Sequence, residues 1–266
     1  MRHTINTCMK LLVNGCSFTH GHKDYTGKHA RDPAEWVWAS RLGQHFESSV
    51  NLAWRGTGNG RIVRETINYL SSVPDPDNWL IIIQWSNPER FEWYNKEFKA
   101  WVSALPNRAV FESRHLGKYA IGHLTNIHRK YCVPYMGEIR EDDVKLMEEM
   151  QHMLVLQQYL KKRGFNNVLY TGMDKWCLIP THIDGYYNNG EKTFMSAGSP
   201  NNKTILEMSK LFDFTKYVSA ISSISRGHRE SEEDAHPNDI GHELFYEYIL
   251  EQIKINYKTS VYDFLV

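Results

Sequence analysis

The chain has 266 residues, 41% hydrophobic and 13% aromatic, which suits one large domain, or one domain with a sizeable insertion, built on a real core. Lysine plus arginine equals aspartate plus glutamate at 31 each, so the formal charge is zero and a broad surface for nucleic acid or anionic membrane is not expected. Four cysteines (Cys8, Cys16, Cys132 and Cys177) form no C-x-x-C pair, which argues against a zinc ribbon or a thioredoxin-like motif and suits the reduced thiols of a cytoplasmic-type compartment.

No signal-like segment opens the chain, and no apolar run approaches the length of a membrane span. Residues 10–16 read as a buried strand that stops at Gly15-Cys16-Ser17 and is followed by His20-Gly21-His22. That histidine pair has no acidic or cysteine partner nearby, so no metal site is assigned, and nothing calls for a cofactor. Pro33 to Phe46 has Trp36, Ala39, Leu42 and Phe46 close to helical spacing. Val50 to Trp54 reads as a second strand, Arg55-Gly56-Thr57-Gly58-Asn59-Gly60 as a glycine-rich turn, and Arg61 to Leu70 as a helix. After a loop at Pro74-Asp75-Pro76-Asp77, the run Trp79-Leu80-Ile81-Ile82-Ile83-Gln84-Trp85 suits a central parallel strand buried on both faces.

Residues 91–140 break the alternation and read as an aromatic-rich, irregular insertion. Glu141 to Lys162 reads as a long helix, ended by Gly164, whose methionines pack rather than line a cofactor box. Asn167 to Thr171 follows as a fourth strand, 172–200 as loop, and Ile240 to Ile253 as a last helix. Strand–helix alternation of this kind predicts a three-layer α/β/α sandwich with a mainly parallel, flavodoxin-like sheet. One domain over 1–266 is expected, the insertion covering one edge of the sheet.

In such a sheet, ligands gather beyond the carboxyl ends of the strands. Three tips fall there. Ser17 follows the first strand and reads either as a cap or as a nucleophile. Gly56, after the second, offers a backbone N–H with no side chain in the way. Asn87, after the third, offers an amide. With the N–H of Ser17 these make a three-donor oxyanion hole. A base is found in Glu232-Glu233-Asp234-Ala235-His236-Pro237-Asn238, just before the last helix. Asp234, or alternatively Glu233, would orient the His236 imidazole. Alone, His236 reads equally as a structural residue of a helix start. Cys16 is the alternative nucleophile, but strand alternation points its thiol away from the side Ser17 faces.

These pieces resemble the conserved blocks of the SGNH (GDSL-type) hydrolase superfamily. Gly15-Cys16-Ser17 is similar to its Gly-Asp-Ser, Asn51-Leu52-Ala53-Trp54-Arg55-Gly56 to its second block, Trp85-Ser86-Asn87 to Gly-x-Asn, and Asp234-Ala235-His236-Pro237 to the Asp-x-x-His or Asp-x-His block, with the acid two residues before the histidine where three is commoner. The Gly-Cys-Ser-Phe-Thr opening resembles a subgroup found in tailed-phage genomes. The resemblance implies a serine hydrolase acting on a small-molecule or carbohydrate ester, as esterase, lipase-like enzyme or deacetylase. Ser17, His236 and Asp234 would be the triad, and Ser17, Gly56 and Asn87 the oxyanion donors. Cys16 stands where the family has aspartate, and Trp85 where it has glycine. Trp85 and Trp93 are expected to line the substrate site. With an acceptor hydroxyl in place of water, the same site would serve an O-acyltransferase. The rival is a non-catalytic virion module that meets a protein partner through 91–140. The expected location is cytoplasmic or virion-associated.

Overall fold

The computed structural model describes residues 9–21, 34–88, 90–96, 99–105, 108–111, 142–173, 202–225, 227–231 and 236–257. Strand β1 (Lys10–Asn14) lies between β2 (Ser48–Asn51) and β3 (Trp79–Trp85), and β7 (Asn167–Gly172) extends the sheet beyond β3. All three pairings are parallel; Leu12 faces Val50 on one side and Ile81 on the other, and Ile83 faces Tyr170. The order β2-β1-β3-β7 is that of a doubly wound, flavodoxin-like sheet.

Because side chains alternate along a strand, the sheet feeds two cores. Leu12, Ile81, Ile83 and Val168 pack against helices α3 (Asn59–Leu70) and α4 (Asp142–Arg163), through residues such as Ile62, Met150 and Met153. After α5 (Asn202–Ser209) and α6 (Ile221–Ser225) comes the C-terminal helix α7 (Asp239–Asn256), and Leu11, Val13, Leu80, Ile82 and Leu169 pack on the other face against it and helix α2 (Trp38–Gly43), through Trp38, Leu42, Phe245 and Ile249. Every residue of β3 is buried. Full burial of an Ile or Leu side chain contributes about 1.5–3 kcal/mol, so this strand anchors both layers. The expected α/β class with a mainly parallel sheet is what the structure shows.

Three expectations change. Part of the segment read as irregular is an antiparallel sheet of β4 (Phe91–Asn95), β5 (Ala100–Leu105) and β6 (Arg108–Phe111), in which Trp93 faces Val102 and Tyr94 faces Trp101. Aromatic and β-branched residues pair well across strands, and Lys99, with φ of 48°, turns the chain into β5. Residues 112–141 and 174–201 lie outside the described residues. The second strand sits earlier than expected and ends at Asn51, whose Oδ1 accepts the Ala53 N–H at 3.0 Å and bends the chain, though Leu52 N–H still donates to Val13 O at 2.8 Å. The helix expected from Pro33 to Phe46 is confined to α2. Among the described residues no helix is long and apolar enough to cross a membrane.

Candidate active site

The parallel sheet delivers the ends of β1, β2 and β3 to one edge. β1 ends in a tight turn: Gly15 leads to Cys16, and Ser17 opens a single helical turn, α1 (Ser17–His20). Two buried amides hold this turn. On one side, Asn14 Nδ2 donates to Ile62 O (3.0 Å) and Thr66 Oγ1 (2.9 Å), while Asn14 Oδ1 accepts the Gly15 N–H (2.8 Å). On the other, Gln84 Oε1 of β3 accepts from Cys16 N–H (3.0 Å), Cys16 Sγ (3.3 Å) and Thr19 Oγ1 (3.0 Å), and Gln84 Nε2 donates to Trp85 O. A Cβ on Gly15 would stand 2.7 Å from Gln84 Oε1 and Thr19 Oγ1, so only glycine fits beneath the clamp. The Cys16 thiol is fully buried against Gln84 and shares the core of Leu11 and Val13; strand alternation does not set it, because β1 ends at Asn14 and Cys16 already belongs to the turn.

Ser17 is 5% exposed, and its Oγ lies 2.7 Å from His236 Nε2, although the two residues are 219 apart in sequence. The histidine is set by the chain entering α7. Arg229 and Pro237 form an antiparallel bridge, Glu230 N–H donates to His236 O (2.9 Å) and Asn238 N–H donates to His228 O (3.1 Å). Asn238 then caps α7, its Oδ1 accepting the Gly241 N–H at 3.0 Å, an arrangement Asn favours at this position. The Phe18 ring lies 4.9 Å from the imidazole and covers one side of it. Asp234 and Glu233 lie outside the described residues.

Gly56 is buried in the turn between β2 and α3 with φ of 73°, a left-handed conformation that glycine adopts without strain. Asn87 is half-buried in the turn after β3, where Arg90 N–H closes back on Asn87 O at 3.2 Å. The two turns are cross-linked: the buried Arg90 guanidinium donates to Thr57 O, and the Asn59 amide bonds the main chain of Ser86. Asn51 donates to Thr19 O at 3.3 Å and so ties β2 to the Ser17 turn.

Two expected substrate contacts fare differently. Trp85 has no exposed surface; it belongs to the α3–α4 core and stacks on Tyr170 with centroids 6.0 Å apart. Its expected place in the substrate site is corrected: the side chain at this position is directed into the core. Trp93 lies half-buried on β4, in the antiparallel sheet. That sheet meets α3 through Glu92, which accepts from Arg64 Nη1 and Ser103 Oγ at 3.0 Å each, and through Arg64 stacked 3.6 Å over the Trp101 ring. His20 is buried with Nδ1 3.0 Å from Gly21 O, and His22 lies outside the described residues; among those described, no group of three acidic, histidine or cysteine residues gathers as a metal site would require.

Sequence reasoning missed Gln84, Asn59, Arg90 and Glu149. Gln84 carried a signal, as the single polar residue inside the apolar run of β3. Glu149 carried none, since an acidic residue in a long helix ordinarily faces water.

The fold and this site define an α/β protein in which a serine and a histidine meet at the carboxyl edge of a parallel sheet. The chain belongs to DUF6071, a family of unknown function, whose model matches residues 12–259. No curated protein matches it. Similar solved structures include a G-D-S-L family protein from Desulfitobacterium hafniense DCB-2 (14% identity, covering 91% of this chain and 97% of that one, TM-score 0.42). The psychrotrophic esterase EstA from Pseudoalteromonas sp. is 10% identical over 94% of this chain and 99% of its own, with a TM-score of 0.44. The extracellular lipase from Streptomyces rimosus is 9% identical over 92% and 99%, with a TM-score of 0.41.

Proposed function

We propose that the protein is a serine acyl hydrolase acting on an ester, with Ser17 as nucleophile and His236 as general base. The carrying observation is the 2.7 Å approach of Ser17 Oγ to His236 Nε2. Serine is a weak nucleophile until a base stands within hydrogen-bond reach, and here the base is brought from the far end of the chain. The four sequence blocks in order support the same reading.

The chemistry follows from the residues. With the imidazole proton on Nδ1, Nε2 accepts the Ser17 hydroxyl proton as Oγ bonds to the ester carbonyl carbon. The carbonyl oxygen becomes an oxyanion held by the N–H groups of Ser17 and Gly56 and the amide of Asn87. His236 then gives its new proton to the departing alkoxide, leaving an acyl-Ser17 ester. A water, deprotonated by His236, releases the acid and returns the proton to Oγ. Asp234 would orient Nδ1. The Phe18 ring keeps one side of the imidazole dry, which strengthens these charge interactions.

The test uses purified protein, a short-chain activated aryl ester and a fluorophosphonate that labels activated serines. The wild type is expected to turn over the ester and to be labelled at Ser17. S17A and H236A are each expected to lose on the order of 10³-fold or more, as in other serine triads. D234N is expected to lose more than E233Q. A wild type inert to both reagents, or labelling that persists in S17A, overturns the proposal.

A further inference from the structure

We infer that Asn59 is a positioning residue for the oxyanion donor Asn87, an assignment that rests on the acyl-transfer reading above. β3 makes its last ladder bond at Trp85, whose carbonyl accepts from Met173 N–H at 2.9 Å. Ser86, the next residue and the one before Asn87, is fully buried. Its N–H donates to Asn59 Oδ1 at 2.7 Å, and its carbonyl accepts from Asn59 Nδ2 at 3.2 Å. One side-chain amide therefore does for Ser86 what a neighbouring strand does for the rest of β3.

The amide is held the right way round by a second buried group. Asn59 Nδ2 also donates to Glu149 Oε2 of α4, and Asn59 and Glu149 are 1% and 2% exposed. A carboxylate only accepts, so the amide NH2 must face it, and Oδ1 is then turned toward the Ser86 N–H. His152 Nδ1, 3.8 Å from the same carboxylate oxygen, places a basic group beside Glu149. Asn59 also opens α3 three residues after Gly56. Its amide thus ties the turn that carries one oxyanion donor to the turn that carries the other. Oxyanion donors act only within about 2.7–3.1 Å of the developing charge, so a small drift of the Asn87 turn removes its contribution.

The experiment is a double-mutant cycle of N59A and N87A, read as kcat and KM on the activated ester. N59A is expected to lower kcat by about 10²-fold, the usual effect of misplacing a reacting group by about 1 Å, with KM within a factor of about two. In the N87A background the same change is expected to cost less than about threefold, because the group it positions is gone. Losses that multiply across the cycle overturn the assignment. Should N59A not fold, N59D and N59D/E149Q replace it. The double variant reverses the polarity of the 59–149 bond while keeping an acceptor for Ser86 N–H, and is expected to recover at least about tenfold in kcat over N59D. No recovery overturns the assignment. A wild type that the fluorophosphonate does not label defeats the acyl-transfer reading itself, whereas a labelled wild type with N59A at full rate defeats only this one.

Discussion

His242, in the first turn of α7, is 1% exposed, its ring edge against Trp36 with centroids 4.9 Å apart. Its Nδ1 has no hydrogen-bond partner among the described residues. Burial first, then the charges of His236 and Arg41, push its pKa down to about 3 from the ordinary 6.5. The folded protein therefore keeps His242 neutral, while the unfolded chain takes up a proton near pH 6.5. Below that pH the unfolded state binds more protons, so stability is full above 6.5 and is lost as pH falls toward 3. Between pH 8 and pH 5 the loss from this one group is about 2 kcal/mol, a sizeable share of the roughly 5–15 kcal/mol of a typical domain.

The perturbation is H242F, which keeps an apolar-walled ring in place and removes the titration. Urea unfolding at pH 8 and pH 5 gives each protein's change in stability over the interval, and the difference between the two proteins isolates His242 from every other titrating group. The wild type is expected to lose about 2 kcal/mol more than H242F. Parallel behaviour of the two proteins would refute the reasoning, because it would mean that His242 titrates in the folded state as it does in the unfolded one. A catalytic consequence attaches to the sign. His236 becomes an imidazolium during the proposed reaction, and a neutral His242 adds no like charge beside it at working pH.

Two further predictions concern the turn that carries Ser17. Q84L strips three donors of their shared acceptor inside the core and is expected to destabilise the protein by about 2–4 kcal/mol in urea titration, with slower labelling of Ser17; a cost below about 1 kcal/mol would show that the clamp is not holding the turn. C16A removes a buried thiol aimed at Gln84 rather than at His236, so ester turnover is expected to stay within about threefold of wild type, and a loss comparable to that of S17A would transfer the nucleophile's role to Cys16.

The inner strands were legible because β3 and β7 are buried on both faces and so spell continuous apolar runs: they fall where Trp79–Trp85 and Asn167–Thr171 place them, whereas the exposed edge strand β2, Ser-Ser-Val-Asn, carries no such run. The Ser17–His236 meeting was legible as an ordering of motifs, since parallel strands must deliver their carboxyl ends to one edge. The hairpins of 91–111 were not. Short strands of mixed aromatic and polar residues satisfy neither a helical nor a clean two-residue period, and their pairing depends on packing against α3 through Glu92 and Arg64. Trp85 was misassigned for a related reason. A tryptophan at a strand's end reads as a site residue until the partner face is known, and here that face is Tyr170.

A parallel sheet brings turns to a common edge but does not set them to within an ångström of each other, because the ladder stops where the turns begin. In this protein side-chain amides continue it. Asn14 and Gln84 grip the Ser17 turn from β1 and β3, Asn51 ties it to β2, and Asn59 carries the pairing of β3 one residue further. An amide suits the task where a carboxylate or an ammonium does not: it donates and accepts at once, as a peptide does, and brings no net charge into the core. In the proposed reaction the chemistry is borne by Ser17 and His236, while their spacing from the proposed oxyanion donors is set largely by amide side chains, with Arg90 and Glu149 bracing Thr57 and Asn59. Substitution at those positions is therefore expected to appear in kcat before it appears in binding.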